Sequence, residues 1–68
     1  MLSRYKVTMP TETSATDEQN RVVYHFSVRV IDSDSGELVR EFRASDFDDV
    51  RAAFRAVDEM LLWLKNAP

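Results

Sequence analysis

The chain of 68 residues contains no cysteine, one glycine, two prolines, one histidine and one tryptophan. Without cysteine it has neither disulfides nor thiolate metal ligands, the two usual reinforcements of a very small domain. So little Gly and Pro, with 44% hydrophobic and 31% charged residues, excludes a collagen-like, low-complexity or fully disordered chain. The longest apolar run, Met60 to Leu64, is far short of the roughly 20 residues of a membrane span. The first residues, Met1-Leu2-Ser3-Arg4-Tyr5-Lys6, lack the apolar stretch of a signal peptide, so a cytoplasmic location and no membrane partner are expected. A surplus of positive charge is missing as well. Twelve acidic against nine basic residues leave a net charge of -3, the wrong sign for gripping a phosphate backbone, and no direct nucleic-acid binding is expected.

What is present reads as one small domain over residues 1–68. A chain this short buries only about 60% of the surface its unfolded form exposes, and ordering entropy of about 1.5 kcal/mol per residue nearly cancels the gain. With staples and metals excluded, association is the remaining supplement. The expected partner is another protein or a second copy, with a homodimer favoured and no cofactor.

Tyr5, Val7 and Met9 alternate with Lys6 and Thr8, the pattern of a short strand over 4–9 that Pro10 ends. Residues 10–20 carry no large apolar side chain and predict a flexible, solvated loop. From Val22 the alternation is strict: Val22, Tyr24, Phe26, Val28 and Val30 form a core face, and Val23, His25, Ser27, Arg29 and Ile31 an outer face, over a strand 21–32. A turn follows at Asp32–Glu37. A three-residue Asp34-Ser35-Gly36 loop, with Gly36 left-handed, sets Val28 opposite Phe42, Arg29 opposite Glu41 and Ile31 opposite Val39, in a strand 38–43. It also puts Arg40 opposite Val30, where its head must snorkel outward.

Ser45 followed by Asp46, Phe47, Asp48 and Asp49 predicts a capped helix over 46–66. Phe47, Val50, Phe54, Val57, Leu61 and Leu64 recur at spacings of three and four, widened by Ala53 and Met60, and are expected to face the sheet. The fold class is therefore α+β: a three-stranded antiparallel β-meander packed against one long C-terminal helix, β-β-β-α.

Little in this chain suggests catalysis. His25 stands alone, with Ser27 as its only near hydroxyl on the same strand face and no acid behind it, so the chain is read as not an enzyme. The alternating oxygens of Asp32-Ser33-Asp34 start like a calcium loop, but Gly36 and Arg43 occupy the wrong positions, so a plain hairpin turn is expected. The chemistry-bearing features are surfaces. Met60, Leu62 and Trp63 make the C-terminal end of the helix apolar nearly all round, the mark of a partner-binding anchor, the alternative being Trp63 folded over the sheet against Tyr5 or Met9. His25 and Arg29 on the outer hairpin face, and Asp46, Asp49 and Glu59 among the helix acids, complete the candidate partner-binding set.

The stretch Arg29-Val30-Ile31-Asp32-Ser33-Asp34-Ser35-Gly36-Glu37-Leu38-Val39-Arg40-Glu41-Phe42, preceded by Phe26-Ser27-Val28 and followed by a helix, resembles the C-terminal domain of the flagellar accessory protein FlaG. That family has a valine-rich strand ending in Val-Ile-Asp, a Thr-Gly or Ser-Gly turn and a second strand of the Glu-Val-Ile-Arg type. Here Ala44-Ser45-Asp46 stands where the family has a proline helix start. The resemblance implies a non-enzymatic accessory acting through protein contacts. The sequence-level expectation is thus a small protein–protein interaction module, FlaG-like or otherwise bacterial or phage in character. The alternative is a phage-type acidic inhibitor that uses Asp46, Asp48, Asp49, Asp58, Glu59 and the Asp32-Asp34-Glu37 turn to occupy the basic, nucleic-acid-binding surface of a target.

Overall fold

The computed structural model describes residues 4–67; Met1–Ser3 and Pro68, the extremities of the expected domain and part of the segment read for a leader, lie outside the described residues. The architecture is α+β, an antiparallel sheet of four strands with one C-terminal helix. Strand β3, Val22–Asp32, is its spine because its alternation is the most regular in the chain. The inward side chains Val28 and Val30 are 3% and 0% exposed, while Arg29 between them is exposed.

One edge of β3 is shared end to end by two strands rather than one. Strand β1, Tyr5–Val7, pairs with residues 30–32, and β2, Thr11–Thr16, pairs with residues 22–27. Four steps from Val7 to Thr11 match three steps from Val30 to Ser27, so one extra residue bulges at Met9–Pro10, and Met9 is 89% exposed. This corrects the expected three strands and the expected flexible loop over 10–20. Threonine suits an extended backbone, and the edge of β3 offers main-chain partners to whatever lies beside it. The true turn is confined to residues 17–20. There Asp17 Oδ1 accepts from the N–H groups of Gln19 and Arg21, both at 2.8 Å, and Asn20 takes a left-handed φ of 61°, which Asn tolerates.

On the other edge, β4, Leu38–Asp46, pairs with β3 so that Val28 faces Phe42, Arg29 faces Glu41 and Val30 faces Arg40, as the hydrophobic pattern requires. Nearer the turn the expected register fails: Ile31 faces Leu38, and Val39 is a bulge residue. The loop has four residues, 33–36, closed by Asp32 N–H to Glu37 O at 2.9 Å and Gly36 N–H to Asp32 O at 2.8 Å. Asp32 Oδ1 also accepts from the N–H groups of Asp34 and Ser35, which fixes the earlier start of the turn. Gly36 has φ 76°, as expected for its left-handed position. The guanidinium of Arg40 lies over the Phe42 ring at 5.2 Å, its route off the core face.

Strand β4 runs three residues further than predicted, to Asp46 opposite Tyr24, and this displaces the helix start. Helix α1 spans Asp49–Asn66, and its N-cap is Asp48, whose side chain accepts from Val50 and Arg51 N–H. Ser45, read as the cap, is instead paired in the sheet with His25. The core under α1 comprises Val28, Val30 and Phe42 from the sheet and Ala56, Met60 and Leu64 from the helix, with Tyr5, Phe26, Ala44, Val57 and Trp63 packed around it.

Candidate functional site

The site follows from how α1 is rotated on the sheet. Its buried residues are Ala52, Ala56, Met60 and Leu64, one every four positions. Two alanines let the helix axis approach the large sheet residues Phe26, Val28 and Phe42, so the bulk at the interface comes from the strands. At about 100° per residue the apolar positions of α1 other than Leu62 span an arc of about 200°, from Ala52 through Met60 and Leu64 to Val50, Leu61 and Phe54. The main chain of α1 lies close to β3 and β4 and not to β1 or β2, although Trp63 near its end reaches Tyr5 of β1. A two-strand support covers only part of that arc.

Arg55 shows which part is left out. Its Nη1 donates to Ser45 O at 3.2 Å and lies 3.6 Å from Asp46 Oδ2, which ties one flank of α1 to the free edge of β4. Val50, Phe54 and Leu61 lie on the opposite flank, so they overhang the β2 side of the sheet. They are 57%, 63% and 53% exposed. The six residues of β2 beneath are all exposed, and Glu12, Ser14 and Thr16, which pair with Phe26, Tyr24 and Val22, form its polar inner face. Half-exposed Val7 and Val22 extend the apolar border at the two ends of the sheet, at 42% and 45%. Phe47, just before the helix, is 55% exposed and lies under the guanidinium of Arg21 at 4.5 Å, while that guanidinium also pairs with Asp17 at 2.9 Å. The result is an apolar strip about 16 Å long from Val50 to Leu61.

The expected large-residue stripe is therefore corrected: Phe47, Val50, Phe54 and Leu61 do not face the sheet. A sign of this in the sequence was the Ala52-Ala56-Met60-Leu64 repeat, hidden by the larger side chains beside it. The expected anchor at the helix end is also not one surface. Trp63 is half-buried, its ring 5.3 Å from Tyr5 in an edge contact and 6.1 Å from Phe42, and Met60 is 6% exposed in the core. Leu62 alone is exposed, on the charged side of α1, where the amide of Asn66 donates to its carbonyl at 2.9 Å. A small sheet gains most by using its tryptophan as a lid, and that gain won over surface display.

On the outer face, His25 Nδ1 lies 2.7 Å from Ser45 Oγ, across the strand pair rather than along it to Ser27. Arg29 Nε donates to Glu41 at 2.6 Å, and Arg43 approaches the same carboxylate at 3.1 Å. Thr11, Thr13 and Ser27 border these groups in an open depression. The acidic candidates serve the helix start: Asp46 Oδ1 accepts from Asp48 N–H at 3.0 Å, and Asp49 Oδ1 accepts from Val50 N–H at 2.8 Å. Glu59 is exposed and on the side of α1 away from the apolar strip. Three carboxyls sit below their ordinary values. Asp17 is lowered chiefly by the Arg21 N–H, Asp32 by the N–H of Asp34 and then of Ser35, and Glu41 by the Arg29 side chain. Among the described residues, no group of three or more His, Cys, Asp or Glu is placed to hold a metal ion, and no helix is long and apolar enough to cross a membrane.

No protein-family model, curated protein or solved structure matches this chain.

Proposed function

We propose that this chain is a small, non-enzymatic protein–protein interaction module that docks its partner along the Val50-Phe54-Leu61 flank of α1. The observation that carries the reading is the exposure of these three residues along one flank of a helix whose core face, Ala52, Ala56, Met60 and Leu64, is buried. Scattered exposed apolar residues are ordinary, but a contiguous strip beside an uncovered strand marks a docking surface. A flagellar accessory of the FlaG type is one form such a module takes, and the β3–β4 hairpin is the part that supports it.

The acidic-inhibitor alternative has less support. Asp46, Asp48 and Asp49 are engaged at the helix start, and Arg55 lies 3.6 Å from Asp46. The test is retention of a partner on immobilised protein at low and high salt. Phe54→Glu should abolish retention that survives high salt, while Leu62→Ala should leave it intact. A partner kept by Phe54→Glu and released by salt would overturn the apolar-flank reading and favour the acidic one.

A further inference from the structure

The two free edges of the sheet are built differently. The edge strand β4 carries Arg40, Glu41 and Arg43, and Arg55 reaches across from α1 to cap Ser45 O. These are the devices that protect an edge from pairing with another chain. Strand β2, Thr-Glu-Thr-Ser-Ala-Thr, has one charge, and every one of its residues is exposed.

The direction of its free main-chain groups can be derived. Arg29 O accepts from Thr8 N–H, so the odd residues of β3 direct their main chain toward the β1–β2 side. Ser27, His25 and Val23 therefore bond Thr11, Thr13 and Ala15, their register partners, and the N–H and C=O groups of Glu12, Ser14 and Thr16 point out of the sheet. We infer that β2 pairs antiparallel with β2 of a second copy, about a two-fold axis at Ser14, to give one continuous eight-stranded sheet with both helices on the same face. In this register Ser14 meets Ser14 and Glu12 meets Thr16, so the only charge on the strand avoids its own copy. A symmetric edge must be its own complement, and this one is.

Adjacent strands are about 4.8 Å apart, so two helices each centred over β3 and β4 would lie about 19 Å from one another. Packed helices need 8–10 Å, so strand pairing and not helix contact carries the dimer. The Phe54 flank stays open, which makes this inference independent of the docking role proposed above.

Sedimentation equilibrium across a wide concentration range tests it. The wild-type chain should dimerise. Ser14→Pro removes an N–H that serves no bond within the sheet, so the fold should persist while the dimer dissociation constant rises by about tenfold or more. Ser14→Lys and Ser14→Glu should each be monomeric alone, and should form a heterodimer when mixed, which reports the two-fold register directly. Phe54→Glu should dimerise like wild type. A wild-type monomer at all concentrations, or a dimer unaffected by Ser14→Pro and Ser14→Lys, would overturn the inference. A dimer lost only in Phe54→Glu would overturn it too, while leaving the apolar flank as an interface.

Discussion

The β4 side and the β2 side of this sheet make a controlled comparison, because both flank the same strand. On the β4 side the groups have partners: Phe42 is buried under α1, Glu41 is held by Arg29 and Arg43, and Arg55 ties the helix to the strand end. On the β2 side the strand is polar on both faces and wholly exposed, while Val50, Phe54 and Leu61 overhang it without cover. A single helix has room to cover two strands, and the sequence placed alanines where it does so. The other half of the apolar arc is surplus to the monomer.

If the comparison holds, equally large apolar residues of α1 should differ sharply in cost. The largest effect is expected for Met60→Ala, which empties a core position and should cost about 2–5 kcal/mol, enough to unfold most of a domain this small. Ala56→Leu should cost about 1–3 kcal/mol by lifting α1 from the sheet; a neutral result in denaturant melts would mean that position 56 does not face the strands. Asp48→Ala should lose about 1 kcal/mol through the N-cap, and a cost for Ser45→Ala of the same origin would restore the earlier helix start. Phe54→Ser should change stability by no more than about 0.5 kcal/mol. The contrast between Met60→Ala and Phe54→Ser is the sharpest of these.

The smallest effect is on the acid limb. Asp32 and Glu41 have ordinary values of 3.8 and 4.5, and both are lowered in the folded protein. Groups lowered on folding stabilise the native state above their unfolded values and lose that contribution as pH falls through the folded ones. Melting temperature should therefore drop as pH is taken below about 4.5, and Glu41→Gln should flatten that fall slightly. A fall of equal slope in Glu41→Gln would show that the Arg29 pair is not its source.

How much of this was legible in the sequence depended on whether an element buries large side chains. The β3 alternation and the Val28–Phe42 and Arg29–Glu41 pairings were readable because a slipped register would have put charge in the core. The loop closing that hairpin was not, because Asp32 caps it from the side chain and moves its start by one residue. Strand β2 carried no alternation, since nothing covers its inner face and both faces stay polar. The helix was readable as a helix but not in its rotation. Weighting by size put Phe54 and Leu61 inward, whereas close approach over Ala52 and Ala56 decided the matter. The docking flank proposed here, Val50-Phe54-Leu61, consequently lies part of a turn away from the expected Leu62–Trp63 end.

Because the chain has no cysteine, the rotation of α1 can be read with single introduced thiols at 50, 52, 54, 56, 60 and 61, timed against a bulky thiol reagent at low protein concentration. The account predicts fast labelling at 50, 54 and 61 without unfolding, and labelling at 52, 56 and 60 only as fast as the domain opens. Protection at 54 and 61 together with free labelling at 52 and 56 would put the large residues against the sheet and remove the docking flank altogether.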